Sequence, residues 1–176
     1  MRSSLLLMVL LTCASPLTGC GQNRSWSVLK QQIRAAYPDV SQLSTDSLST
    51  WLASDTLPAP VLLDVRTEPE FAVSHLPNAQ RLDPEARDFA ALDTLPRNTP
   101  LVTYCSVGYR SSGMAKRLQE AGFTNVMNLE GSIFAWANES HPVYRAGEPV
   151  RQVHPYDAIW GKLLDKELRT YEPADP

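Results

Sequence analysis

The chain has 176 residues and a formal charge of −3, with 43% hydrophobic and 20% charged side chains. These proportions exclude a disordered, collagen-like or multi-span membrane protein, and the mild acidity gives no electrostatic basis for binding nucleic acid. The length allows one domain with appendages, and fourteen prolines against eight glycines suggest rigid connections between elements.

One basic side chain, Arg2, precedes a run of ten mostly apolar residues from Leu5 to Ala14, which breaks at Ser15-Pro16. Ten residues are too few to cross a bilayer, which needs about 20. A basic start, a short apolar core and small residues are instead the order of a secretory signal. Leu17-Thr18-Gly19-Cys20 resembles the lipobox of bacterial lipoproteins. The resemblance implies that residues 1–19 are a signal peptide, cut before Cys20, and that Cys20 carries the lipid. The mature protein would then be anchored in the cell envelope, facing the periplasm or the exterior. Gly21 after Cys20, rather than aspartate, favours the outer membrane where two membranes are present. The plainer alternative is a signal whose cleavage region holds a cysteine by chance. On the lipoprotein reading Cys13 leaves with the signal and Cys20 is blocked, so Cys105 has no internal disulfide partner in an oxidising compartment.

Residues 21–25 are polar and read as a short tether. Trp26, Leu29, Ile33 and Tyr37 then fall on one helical face, and Pro38 ends that helix. Ser44 suits the N-cap of a second helix burying Leu48, Trp51 and Leu52. Val61-Leu62-Leu63-Asp64-Val65 is a continuous apolar run ending in charge, the pattern of a strand covered on both faces. A short helix follows from Thr67, with Glu68 and Glu70 in its first turn, where they complement the dipole. Residues 79–82 suggest an edge strand, 85–92 a weak helix and 95–100 a proline-bounded loop. Leu101-Val102-Thr103-Tyr104 is a second buried strand, running into Cys105. A helix over 112–121 presents Met114, Ala115 and Leu118 on one face, and Gly122 stops it. A strand over 126–129 and a short helix over 132–137 complete the alternation. Strands alternating with helices imply an α/β fold with a central parallel sheet flanked by helices on both faces.

Residues 146–176 lie beyond that pattern. Tyr156, Ile159, Trp160, Leu163, Leu164 and Leu168 fall at helical spacing and predict an amphipathic helix. It would either pack on the body or offer a docking surface to a protein partner. The mixed charge of its polar face disfavours the membrane.

The chemistry concentrates between strand and helix, in Cys105-Ser106-Val107-Gly108-Tyr109-Arg110. Ligands of parallel sheets collect beyond the carboxyl ends of the strands. Successive amide N–H groups in such a turn form a concave anion site, and the helix that follows adds the positive end of its dipole. A thiol there, with Arg110 nearby, is expected to be held as a nucleophilic thiolate. A buried structural thiol is the alternative; it predicts apolar neighbours, whereas serine, glycine and arginine follow Cys105. Three scattered histidines make no ligand cluster, so neither metal nor cofactor is expected.

From Ser41 to Tyr144 the chain resembles the single-domain rhodanese (sulfurtransferase) family. The motifs that carry the resemblance are Asp64-Val65-Arg66, Glu70-Phe71 and His75-Leu76-Pro77, then Cys105, Gly108 and Arg110, and finally Leu129-Glu130-Gly131 with Trp136 and Pro142-Val143. Two positions depart from the family pattern: Ser132 where a second glycine often follows Gly131, and Ser74 before the histidine. The chain is then expected to divide into four regions: the signal at 1–19, tether and helix at 20–40, the rhodanese domain that the resemblance implies at 41–145 and a helical extension at 146–176. It also implies a sulfurtransferase in which Cys105 takes sulfur from a small anionic donor such as thiosulfate and passes it to a thiol or cyanide. Ser106, Val107, Gly108, Tyr109 and Arg110 would hold the substrate, and Asp64 and Arg66 would support the loop, more by a structural ion pair than by touching substrate. His75 and Trp136 are expected to be structural, and Tyr109 to line the mouth. Arginine five positions after cysteine is the sulfurtransferase length; the related phosphatases need six to surround phosphate. A non-catalytic module binding anions or partners is the competing reading.

Overall fold

The computed structural model describes residues 20–173, with side chains described from residue 26. The expected signal peptide and its cleavage site lie outside the described residues. Five parallel strands form the sheet: β1 (Ser41–Leu43), β2 (Val61–Asp64), β3 (Gln80–Arg81), β4 (Leu101–Tyr104) and β5 (Val126–Leu129). Their spatial order is β1-β5-β4-β2-β3, so β4 lies between β2 and β5. The helices are α1 (Cys20–Ala36), α2 (Thr45–Leu52), α3 (Glu68–Val73), α4 (Tyr109–Glu120) and α5 (Ser132–Asn138).

Alternation of side chains along the strands divides the core in two. Leu62, Val102, Tyr104 and Leu129 pack with Leu48 of α2 and Ile133, Phe134 and Trp136 of α5. Leu63, Leu101, Val126 and Cys105 pack with Met114, Ala115 and Leu118 of α4 and with Phe89 and Leu92. The sheet is therefore covered on both faces, as its apolar runs predict. Ser44 caps α2, its Oγ accepting the Ser47 N–H at 3.1 Å. Gly122 follows α4 with φ of +94°, the left-handed stop expected of it.

The structure differs from the sequence reading in four places. The helix α1 begins at Cys20 rather than near Trp26 and takes in the supposed tether, whose polar residues carry no periodic signal. The weak helix over 85–92 is only a 3₁₀ turn at Ala90–Leu92. Arg117 of α4 donates to the carbonyls of Pro84 (2.8 Å) and Ala86 (2.7 Å), which a helix would have needed for itself. A hairpin of β6 (Val143–Arg145) and β7 (Glu148–Val150) follows the sheet, turning through Ala146 and Gly147, both at positive φ.

The fourth difference is the tail, which is not an amphipathic helix. It carries only 3₁₀ turns at Trp160–Leu163 and Lys166–Leu168. Its backbone makes short turns and a bridge between Val153 and Arg169, and side chains take other carbonyls and an amide. Asn138 donates to the Leu163 carbonyl at 2.8 Å and accepts the Asp165 N–H at 2.9 Å, while Arg169 caps the Leu164 carbonyl. Pro155 and the positive φ of Tyr156 break the run before it starts. Of the residues at helical spacing, Leu164 and Leu168 are buried and Ile159 is 74% exposed.

Candidate active site

Cys105 follows β4 at the carboxyl end of the sheet, and the chain must turn within three residues to enter α4. Gly108 makes that turn at φ of +112°, where a Cβ would be strained and would sit 3.3 Å from Asn128 Nδ2. The first turn of α5 grips the loop from the other side. The Cys105 N–H donates to Ser132 Oγ (3.1 Å), the Ile133 N–H to the Cys105 carbonyl (3.2 Å) and the Phe134 N–H to the Ser106 carbonyl (3.1 Å). This accounts for one departure from the family pattern. Ser132 keeps the left-handed backbone of a glycine (φ +52°), and its hydroxyl offsets the strain by also donating to the Leu129 carbonyl at 3.1 Å. The other departure, Ser74, is extended and asks nothing of glycine. Its hydroxyl instead donates to the Gln152 carbonyl at 2.7 Å and ties the tail to the domain.

The thiol of Cys105 is almost wholly buried, 1% exposed, yet it lies at the floor of a cavity of about 350 Å³. Burial pushes its pKa up. Against this stand the positive charge of Arg110 and hydrogen bonds from Ser111 and from the Gly108 N–H, which reaches Sγ at 3.1 Å. Ser111 has one hydroxyl proton, and it is given to Asn128 Oδ1 at 2.5 Å, so the amide is the Ser111 donor left for sulfur. The balance holds the thiol below the ordinary cysteine value of 9.0.

Arg110 acts on the sulfur through its charge, while its hydrogen bonds go elsewhere. Its guanidinium is clamped in a fork by Glu70, Nη1 to Oε2 at 3.0 Å and Nη2 to Oε1 at 2.7 Å, and Nη2 also reaches Ser106 Oγ at 3.0 Å. Glu70 is 2% exposed. It also accepts from Ser106 Oγ at 3.0 Å and from the N–H and hydroxyl of Thr67 at 3.0 and 2.7 Å. Burial would raise its carboxyl, but the bonds and charge of Arg110, with those of Thr67, hold it at about 2. Glu70 is the residue that sequence reasoning missed as part of the site. The available signal was the capping box with Thr67, three residues before it.

Of the expected site residues, Cys105, Ser106, Val107, Tyr109 and Arg110 line the one cavity and Gly108 shapes its floor. Tyr109 stands at the mouth, 54% exposed, with Tyr37 edge-on to its ring at 5.5 Å. Asp64 and Arg66 do not enter it. They form a fully buried pair (2.6 Å), and Arg66 donates to the Ser74 carbonyl at 2.6 Å, bracing the end of β2 against the segment before His75. His75 stacks on Phe71 at 4.4 Å, and Trp136 is buried with its Nε1 donating to the Pro142 carbonyl. The remaining walls are unforeseen: Leu29, Gln32 and Ile33 of α1, and Tyr156 and Trp160 of the tail.

A thiol lowered in this way should react as thiolate at a pH where free cysteine does not. Iodoacetamide labelling of the Cys105 peptide, followed by mass spectrometry, is expected to reach half its plateau below pH 9.0. Arg110→Gln should move that midpoint upward, since it removes the cation and leaves the Glu70 carboxylate uncompensated beside the sulfur.

The family model for the rhodanese-like domain matches residues 44–139. A sulfurtransferase of Allochromatium vinosum is 35% identical over 104 residues, covering 59% of this chain and 94% of that protein. Among solved structures, the rhodanese-like domain of an Anabaena protein superposes with a TM-score of 0.54 at 24% identity, over 60% of this chain and 80% of that one. Thiosulfate sulfurtransferase from Pseudomonas aeruginosa does so with a TM-score of 0.53 at 25% identity, over 60% of this chain and 20% of that one. A parallel sheet with a cysteine loop at its carboxyl edge, a family match over more than half of the residues and a relative aligned over nearly its whole length together mean that this chain belongs to the rhodanese-like domain family.

Proposed function

We propose that the protein is a sulfurtransferase that carries a sulfane sulfur on Cys105 as a persulfide. The observation that carries this reading is a thiol held below its ordinary pKa at the floor of a cavity, with the loop amides and a clamped arginine around it. The thiolate attacks the outer sulfur of a donor such as thiosulfate. An Sγ–S bond forms, the donor's S–S bond breaks, and its electron pair leaves with sulfite. The negative charge now rests on the outer sulfur of the persulfide, where the loop N–H groups and Arg110 stabilise it. An acceptor, cyanide or a thiolate, attacks that sulfur, the persulfide bond breaks, and its electron pair returns to Sγ. Two half-reactions through a covalent intermediate give ping-pong kinetics.

The test is the mass of the Cys105 peptide after thiosulfate treatment. A gain of one sulfur, lost again on adding cyanide, supports the enzyme. No adduct at millimolar donor supports the binding module instead. The proposal extends to place: a lipid on Cys20 would hold the protein at the cell envelope, in the outer membrane where there are two. Labelled fatty acid should be incorporated into the native chain and not into Cys20→Ala.

A further inference from the structure

Rhodanese-type chemistry on thiosulfate and cyanide needs only a loop and a charge, yet this cavity is built for more. Its floor comes from the family domain, but its walls come from two segments outside the matched residues 44–139: Leu29 and Ile33 on α1, Tyr156 and Trp160 in the tail. Both walls are tied to the family domain. The helix α1 is pinned by Arg34 and Lys30 to Glu130, at 2.6 and 3.5 Å, and the tail by Ser74 to Gln152. The space they enclose, about 350 Å³, is far larger than thiosulfate and falls in the range of pockets for small organic ligands.

The charge at the mouth does not suit a large anion. Arg110, the cation of the cavity lining, gives both terminal nitrogens to Glu70, and the Tyr156 ring covers its guanidinium carbon at 4.7 Å. What is left over the sulfur is hydrocarbon and aromatic surface, with Gln32 as a neutral polar group beside it. Water in such a space is replaced at a gain by an apolar body, and a highly charged one would lose hydration without a partner.

We infer that the sulfur acceptor is a small organic thiol with an uncharged, apolar body, and that Leu29, Ile33, Tyr156 and Trp160 select it. The inference rests on the persulfide reading above. In the step it names, R–SH releases its proton to solvent and R–S⁻ attacks the outer persulfide sulfur. A new S–S bond forms, the Cys105 Sγ–S bond breaks with its electron pair returning to Sγ, and R–S–S⁻ departs.

The experiment loads the full chain with thiosulfate and follows discharge of the persulfide by ethanethiol through hexanethiol, whose thiol acidity hardly changes along the series. The second-order rate constant is expected to rise about fourfold for each added methylene. Trp160→Ser in the tail and Leu29→Gln on α1 should each flatten the series. A rate that is level or falls with chain length, or discharge by glutathione faster than by hexanethiol, overturns the inference while the persulfide reading stands, because the loaded enzyme has formed. If no persulfide forms, both fall together.

Discussion

Cys105→Ser is expected to abolish persulfide formation and to lower sulfur transfer from thiosulfate to cyanide by about 10³-fold or more, with the fold intact. The hydroxyl is nearly isosteric, and its oxygen can still accept the Gly108 N–H that now meets Sγ at 3.1 Å. Stability should therefore change by no more than about 1 kcal/mol, well short of the cost of a cavity or a buried orphan donor. The chemistry has no such substitute. A site that lowers a thiol below 9.0 raises the share present as sulfur anion, but the same donors cannot ionise an alcohol, and oxygen is a poor nucleophile toward divalent sulfur. Thiocyanate formation, the mass of the residue 105 peptide and a thermal melt decide the matter together. Transfer retained at a tenth of the native rate or more, in a chain that melts normally, would remove Cys105 from the reaction.

How much of this was legible in the sequence follows from which forces are local. The strands β2, β4 and β5 could be read because burial on both faces writes the need for apolar side chains directly into the run. Cys105, Gly108 and Arg110 could be read because a turn and its donors lie within six residues. Glu70 could not be placed, since it is 40 positions from Arg110 and nothing local says which cation a buried carboxylate will meet. The two misread helices fail for a common reason. Periodicity reports where side chains are apolar, but the carbonyls of Pro84 and Ala86 belong to Arg117, and those of Leu163 and Leu164 to Asn138 and Arg169. A helix whose acceptors are taken by side chains does not form, whatever its pattern. The cavity walls were hidden for the same cause, being made of segments more than a hundred residues apart.

Glu70→Gln is the second large effect expected, and it separates positioning from chemistry. Glutamine keeps one acceptor oxygen, enough for the capping box with Thr67, but it cannot accept from both Arg110 nitrogens. Removing one partner of a buried ion pair costs about 3–5 kcal/mol when the other is left dry; the Arg110 side chain is 28% exposed and can hydrate, so about 2 kcal/mol is expected. The freed guanidinium no longer sits at a fixed distance from the donor's anionic end, and a misplacement of about 1 Å is worth up to about 10²-fold in kcat/KM for thiosulfate. The thiol itself should not weaken. Loss of the carboxylate leaves the Arg110 charge less compensated, so the ascending limb of the pH–rate profile should move to lower pH while the donor KM rises. A residue that merely held the fold would move neither. Acid provides a second readout. The Glu70 carboxyl lies at about 2 in the folded chain against an ordinary 4.5, so its stabilisation is complete above pH 4.5 and is lost as the pH falls through about 2. The gap in urea midpoint between the native chain and Glu70→Gln should accordingly be widest above pH 4.5 and narrow as the pH is lowered toward 2. A gap independent of pH, with donor KM unchanged, would show that the carboxylate does not hold Arg110 in place.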